Sequence, residues 1–307
     1  MRIKMSVLAS SVLVSSVLVS NEFGQVQQVN VTDDIAVLVI EHQSCQAKVS
    51  LYGGQVLSWQ PSGQKEVFWL SEMATFEQGK AIRGGIPLCW PWFGAHPDDS
   101  ENKAGNHGFA RTALWQVSDI RLDKRGVEIT LIFQGENKHD LWPNACKLTQ
   151  VLSFGGQFTQ TLTMSNLSDE DAFYTGALHS YFCVSAPENI TIDALNDAPF
   201  DDKLTGTSCP PQLLVNGAGP VDRVYHTNKV MQLTDREWQR TIEISATNTK
   251  QWVFWNPGVE IANSMADIHA HGEQEFVCLE AANTQRQLLA SGKTLTISQV
   301  VRVIPNV

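Results

Sequence analysis

Apolar and polar positions alternate along most of this chain. In Val127-Glu-Ile-Thr-Leu-Ile-Phe133 the residues Val127, Ile129, Leu131 and Phe133 share one face of an extended strand. Residues 147–154 and 158–166 keep the same period of two and flank Gly155-Gly156, which predicts a hairpin. Residues 241–245, 251–255, 276–281 and 295–304 read as further strands. Convincing amphipathic helices are nearly absent, and residues 237–241 are too short for one. Many strands separated by turn residues predict an all-β antiparallel sandwich or barrel.

A chain of 307 residues with 43% hydrophobic content can bury a large core, and no glycine-, serine- or proline-rich linker divides it. Large β-sandwiches routinely form one domain at this length. A single domain is therefore expected over residues 21–307. Residues 1–20 form a separate apolar, serine-interrupted segment behind the basic Met1-Arg-Ile-Lys4. That segment resembles a signal peptide but lacks a clear Ala-x-Ala cleavage site. A cytoplasmic location with residues 1–20 partly disordered, or an alternative start, is one reading; a periplasmic location with residues 1–20 processed is the other.

The net charge of −10 argues against nucleic acid and anionic membranes as partners. No other apolar run is long enough to span a membrane. Cys45, Cys89, Cys146, Cys183, Cys209 and Cys278 show no CxxC pairing and read as buried thiols rather than a disulfide framework.

The segment richest in chemistry is Arg83-Gly-Gly-Ile-Pro-Leu-Cys-Trp-Pro-Trp-Phe-Gly94, followed twelve residues later by Asn106-His-Gly-Phe-Ala-Arg111. Glycines allow close backbone approach to a ligand. Trp90 and Trp92 offer flat apolar faces for a sugar, with core packing as the competing role. The guanidinium fork matches phosphate oxygens. In a chain this acidic, an anionic ligand needs a locally basic pocket, which draws attention to Arg83 and Arg111.

With Gly54-Gln-Val-Leu-Ser-Trp59, Ala177-Leu-His-Ser-Tyr-Phe182 and Phe276-Val-Cys-Leu-Glu-Ala281, these pieces make an ordered set. Two weaker pieces, Asp222-Arg-Val-Tyr225 and Trp255-Asn-Pro-Gly258, lie between the last pair. From about Val37 to Val303 the chain resembles the hexose-6-phosphate mutarotases (glucose-6-phosphate 1-epimerases) of the aldose 1-epimerase superfamily. The resemblance implies the large two-sheet antiparallel β-sandwich of galactose mutarotases, with the site on a concave sheet.

It also implies the chemistry: ring opening and reclosure that exchanges the α and β anomers, with no metal and no other cofactor. Strand periodicity puts Phe276, Cys278 and Glu280 on one face. A carboxylate there is either paired across the sheet or kept for function. His179 among aromatics is a core residue or a catalyst. The resemblance assigns Glu280 as base, taking the anomeric hydroxyl proton, and His179 as acid toward the ring oxygen, on opposite sides of the C1–O5 unit. A bell-shaped pH profile is expected, with its lower limb from Glu280 and its upper limb from His179.

The resemblance further implies that Arg83 and Arg111 bind the 6-phosphate. Asn106 matches a substrate-contacting position often occupied by Gln, and its reach is shorter. His107 either meets sugar hydroxyls or holds the turn at Gly108. Asp222 either receives sugar hydroxyls or caps a turn before a strand. The expected partner is a small sugar phosphate, with the protein a monomer or weak homo-oligomer. A non-catalytic carbohydrate-binding sandwich and a free-hexose mutarotase are the competing readings. A glycosidase fits poorly, because it needs two carboxylates where His and Glu stand.

Asp267-Ile-His-Ala-His-Gly-Glu273 has the look of a metal cluster but runs into a Gly-Glu-Gln turn, and no metal is expected there. No nucleotide loop or serine-hydrolase elbow is present.

Overall fold

A computed structural model describes residues 15–135 and 139–305. The predicted strands form, and they pair antiparallel throughout. Gly126–Gly135 buries Val127, Ile129, Leu131 and Phe133 on one face, as the alternation requires. Cys146–Phe154 and Gln157–Asn166 make the hairpin around Gly155-Gly156, with Phe154 opposite Phe158.

The strands form an all-β sandwich. One eight-stranded sheet runs, in spatial order, Ile190–Thr191, Met231–Asp235, Arg240–Thr247, Thr294–Pro305, Gln157–Asn166, Cys146–Phe154, Gly126–Gly135 and Gln116–Asp123. The other, the site sheet, runs Thr207–Cys209, Phe200–Asp202, Val221–Tyr225, Gln251–Asn256, Phe276–Leu289, Ala172–Leu178 and Leu88–Cys89, with Tyr181–Cys183 also paired to Phe276–Leu289. A five-stranded meander, Ser15–Asn21 through Gln55–Pro61, is tied in by single-residue bridges: Val56 pairs with Ile86, just before Leu88–Cys89, and Phe68, after the last meander strand, pairs with Phe182. Side chains from all three sheets enter one apolar core, including Trp59, Phe68, Phe158, Leu162, Val277 and Leu279.

The boundary expected after Ser20 falls inside a strand, because Ser15–Asn21 pairs with Gly24–Asn30. The rest of the N-terminal segment, residues 1–14, lies outside the described residues. Helix is scarce, as expected, but one seven-residue helix, Gly258–Ser264, follows Trp255-Asn-Pro. All six cysteines are free; Cys183 and Cys209 are only partly buried, whereas the other four are buried. Among the described residues no helix is long and apolar enough to cross a membrane.

Polar side chains thread the core in one place. Gln299 donates to Gln160 (2.8 Å), Gln160 to Gln150 (2.6 Å), and Gln150 to the Gly54 carbonyl (2.6 Å). At the other end Ser180 donates to Gln299 (3.2 Å). All four side chains are fully buried. Each amide nitrogen in the chain donates to an acceptor, which limits the penalty for burying it. The ladder anchors Ser180, the neighbour of His179, against the opposite sheet.

Candidate active site

The strand Phe276–Leu289 decides where the site lies. Val277, Leu279 and Ala281 face the main core, while Phe276 and Cys278 belong to a separate cluster on the opposite face. Glu280 shares that opposite face, as the period of two requires. Register then lines up its neighbours. Asp222 pairs with Trp255, Trp255 with Cys278, and Cys278 with Tyr181. Val253 pairs with Glu280. His179 sits in the corner between Ala172–Leu178 and Tyr181–Cys183, its N–H donating to the Pro87 carbonyl.

His179 Nε2 lies 3.3 Å from Glu280 Oε1, with the residues 8% and 1% exposed. The two groups expected on opposite sides of a sugar are thus in direct contact. Glu280 Oε2 and His179 Nδ1 are buried without a protein partner. Burial is the main influence on both. It raises the Glu280 carboxyl well above its ordinary value, helped by the negative charge of Asp222 and opposed by Arg111. It pushes His179 well below ordinary histidine, and the fields of His107, Arg111 and Arg83 push the same way. Both shifts favour a neutral imidazole beside a protonated carboxyl, with one proton shared between them, over the charged pair. These directions run opposite to the pH-limb assignment that the resemblance implies.

Around the pair stands a positive wall. Arg83 donates through Nε to Asp267 (3.0 Å) and through a terminal nitrogen to the Tyr181 hydroxyl (2.8 Å). Burial opposes the Arg83 charge, but Tyr181 and Asp267 outweigh it and hold the guanidinium firmly protonated. The Tyr181 ring stacks on His179 at 4.9 Å and 7°. Tyr181 thus ties Arg83 to the imidazole. Arg111 donates to the Asn106 carbonyl (2.7 Å). Asn106 itself is exposed, and it is its backbone that holds Arg111.

His107 joins the two motifs. Its N–H donates to the Gly94 carbonyl (2.7 Å), and its Nδ1 accepts from the Gly94 N–H (3.2 Å). Accepting at Nδ1 fixes the ring proton on Nε2. Burial, then Arg111 and Arg83, lower His107 to about 3, so it is a neutral donor at physiological pH. Its ring meets His179 edge-on at 5.7 Å. It also adopts a left-handed conformation (φ 69°) before Gly108, so it holds the turn as well.

Asp222 lies within Val221–Tyr225 rather than at a turn, so the capping role falls away. Burial raises its carboxyl, and Lys203 and Asp202 exert opposing smaller effects.

Two readings of the sequence need correction. Trp90 and Trp92 are 1% and 3% exposed and pack in the main core, so neither forms a sugar platform. Trp255, partly exposed, lies edge-on to His179 at 6.4 Å. Gly84 and Gly85 are required by neighbouring backbone, not by a ligand: a Cβ on Gly85 would fall 2.0 Å from the Val56 carbonyl oxygen, and one on Gly84 would fall 2.5 Å from that of Trp69.

The Asp267–Glu273 segment contributes a contact that the sequence reading did not assign. The short helix Gly258–Ser264 and the turn after it deliver Asp267 to Arg83. His269 turns away to Glu275 (3.1 Å) and Trp69, so these side chains do not converge as a metal cluster. The sequence signal for Asp267 was an acid close before the Glu280 strand, within reach of the arginine motif only once the sheet forms.

A cavity of about 550 Å³ bounded by Tyr52, Phe109, Leu114 and Gln134 includes none of Arg83, His107, Arg111, His179, Asp222, Trp255 and Glu280 and holds no acid/base pair.

Residues 36–302 match the aldose 1-epimerase family model. The chain belongs to the aldose 1-epimerase family. It is 32% identical over 278 residues to a protein of Escherichia coli K12 named "putative glucose-6-phosphate 1-epimerase", covering 88% of this chain and 91% of the other. A similarly named protein of Cenchrus ciliaris is 27% identical, covering 80% and 77%. The solved structure of a "putative mutarotase" from Salmonella typhimurium superposes with a TM-score of 0.81 at 30% identity, covering 92% of this chain and 94% of that one. Membership makes the chain an epimerase-type isomerase and accounts for the galactose mutarotase-like sandwich.

Proposed function

We propose that this epimerase interconverts the α and β anomers of a hexose 6-phosphate, glucose 6-phosphate foremost. The observation that carries the substrate choice is the convergence of Arg83 and Arg111, with neutral His107, beside the His179–Glu280 pair in a chain of net charge −10. A free hexose gives no reason to concentrate two guanidinium groups there. A phosphate does, because charge-assisted contacts to Arg are strong and geometrically specific.

Opening the ring removes the proton of the anomeric hydroxyl and protonates the ring oxygen. Both oxygens are bonded to C1, so an adjacent acid and base serve them together. Glu280 as carboxylate takes the hydroxyl proton and His179 as imidazolium donates to the ring oxygen; after rotation about C1–C2 the roles reverse. This form arises when the shared proton passes from Glu280 to His179. The substrate favours that transfer, since its phosphate offsets the arginine charges that depress His179. Trp255 offers an apolar face to the sugar, and Asp222 an acceptor for its hydroxyls.

Anomer exchange measured by NMR saturation transfer tests the reading, with glucose 6-phosphate, glucose and galactose side by side and Glu280→Gln as control. Acceleration confined to the phosphosugar and lost in the variant is expected. Equal acceleration of the free sugars would remove the phosphate role from the arginines. Binding without acceleration would favour a carbohydrate-binding module.

A further inference from the structure

We propose that His179, Cys278 and Glu280 form a trap for a thiophilic divalent cation such as Zn²⁺ or Cd²⁺, and that the captured ion switches the epimerase off. One donor atom from each residue lies within 4.8 Å of the other two, the only such convergence of three His, Cys, Asp or Glu donors among the described residues. Cys278 and Glu280 are brought to one face by strand period, and His179 closes the triangle at 3.3 Å from the carboxylate. Tetrahedral zinc with bonds near 2.0–2.3 Å sets its donors roughly 3.5 Å apart, so modest side-chain rotations from separations within 4.8 Å complete the set.

Glu280 Oε2 and His179 Nδ1 have no protein partner, so no protein hydrogen bond at those atoms opposes such a rotation. Thiolate, imidazole and carboxylate together suit zinc and cadmium and disfavour magnesium and calcium. Three protein donors leave the fourth position open to water or a sugar oxygen. Bound metal occupies the imidazole and the carboxylate that would otherwise move protons. The ion is thus an inhibitor, not a cofactor, and Cys278 is the residue that makes the trap without taking part in proton transfer. The inhibitory half rests on the acid/base reading of the pair; the binding half does not.

The test is a titration of the full-length protein with Cd²⁺, followed by the thiolate-to-cadmium ultraviolet band. In parallel, anomer exchange is measured at buffered free Zn²⁺. Wild type is expected to show one tight site, a saturating band and chelator-reversible inhibition. Cys278→Ala, and Cys278→Ser should the first variant fold poorly, are expected to keep basal exchange, lose the band and need at least tenfold more Zn²⁺ for half inhibition. A band of unchanged size in both variants places the metal on another cysteine and overturns the site. Tight binding that leaves exchange untouched overturns the inhibition while the site stands. If no protein form accelerates exchange, the acid/base reading fails, and the Cd²⁺ band still decides the site.

Discussion

The imidazole of His179 and the carboxyl of Glu280 touch at 3.3 Å inside a buried corner, and burial shifts their proton affinities in opposite directions. Two buried groups that share one proton titrate as a unit, with macroscopic limits that belong to the pair. On falling pH the pair gains a second proton at His179, and because that group is depressed, the acid limb should lie below the ordinary histidine range. On rising pH it loses its only proton from Glu280, and because that group is raised, the alkaline limb should lie above the ordinary carboxylate range. Exchange rates across pH 4–10 on glucose 6-phosphate check this, after subtraction of the spontaneous rate. Glu280→Gln should cut the rate by about 10²–10⁴-fold at every pH. A profile whose acid limb follows an ordinary histidine would contradict the burial argument.

Arg83 and Asp267 give the second expectation. Arg83→Ala removes a charged contact made in ground and transition states alike, so KM should rise while kcat changes little. A charge-assisted hydrogen bond is worth about 1.5–3 kcal/mol, hence roughly 10- to 100-fold in KM. Asp267→Asn frees the guanidinium without removing it and should raise KM by a smaller factor. Steady-state exchange against phosphosugar concentration distinguishes the two.

The aromatic residues divide by location. Trp255→Ala should weaken substrate binding with a modest loss of stability, since the ring is partly exposed beside His179. Trp90→Ala should do the opposite, costing about 3–5 kcal/mol of stability as a core truncation. Paired urea denaturation and KM measurements on both variants read the contrast. Equal KM effects would put Trp90 back in the site.

His107 couples the site to acid stability. Its folded-state value near 3 lies below the ordinary 6.5, so the neutral ring stabilises the fold above 6.5. That contribution should fade as pH falls from 6.5 toward about 3. His107→Asn, which tolerates the left-handed backbone, should flatten stability against pH over that window. Urea midpoints at several pH values measure it.

Gly85 and Gly108 should resist substitution for reasons of backbone alone. A Cβ at Gly108 would sit 2.1 Å from the Trp90 carbonyl oxygen, and both residues have positive φ. Alanine at either should lower stability by more than about 1 kcal/mol. Melting curves of the two variants check this without any substrate.

Much of this molecule was legible in its sequence because two-residue periodicity is a local property. It marked the strands, the hairpin at Gly155-Gly156 and the facing of Glu280. The ordered motifs located His179, Arg83 and Arg111. What stayed hidden depends on distant strands meeting. Asp267 reaches Arg83 across 184 positions of chain, and Trp255 becomes a site residue only through its register with Asp222 and Cys278. The glycines of the Arg83 motif and the tryptophans after it looked like ligand surface, because close approach and flat apolar faces serve a neighbouring strand as well as a sugar. The shared proton of His179 and Glu280 follows from depth of burial, which a pattern of residue types does not encode.

The buried glutamine ladder has a bearing on how the chain chooses its own pairing. Alternating hydrophobicity forbids a one-residue slip between strands but is blind to a slip of two, which returns every apolar side chain to the same face. Here Gln160 pairs with Gln299. A two-residue slip would set Gln299 against Phe158 or Leu162 and strand its amide in an apolar layer. The glutamines therefore act as an address for Thr294–Pro305 on Gln157–Asn166, and through Ser180 the same address is passed to the corner that holds His179.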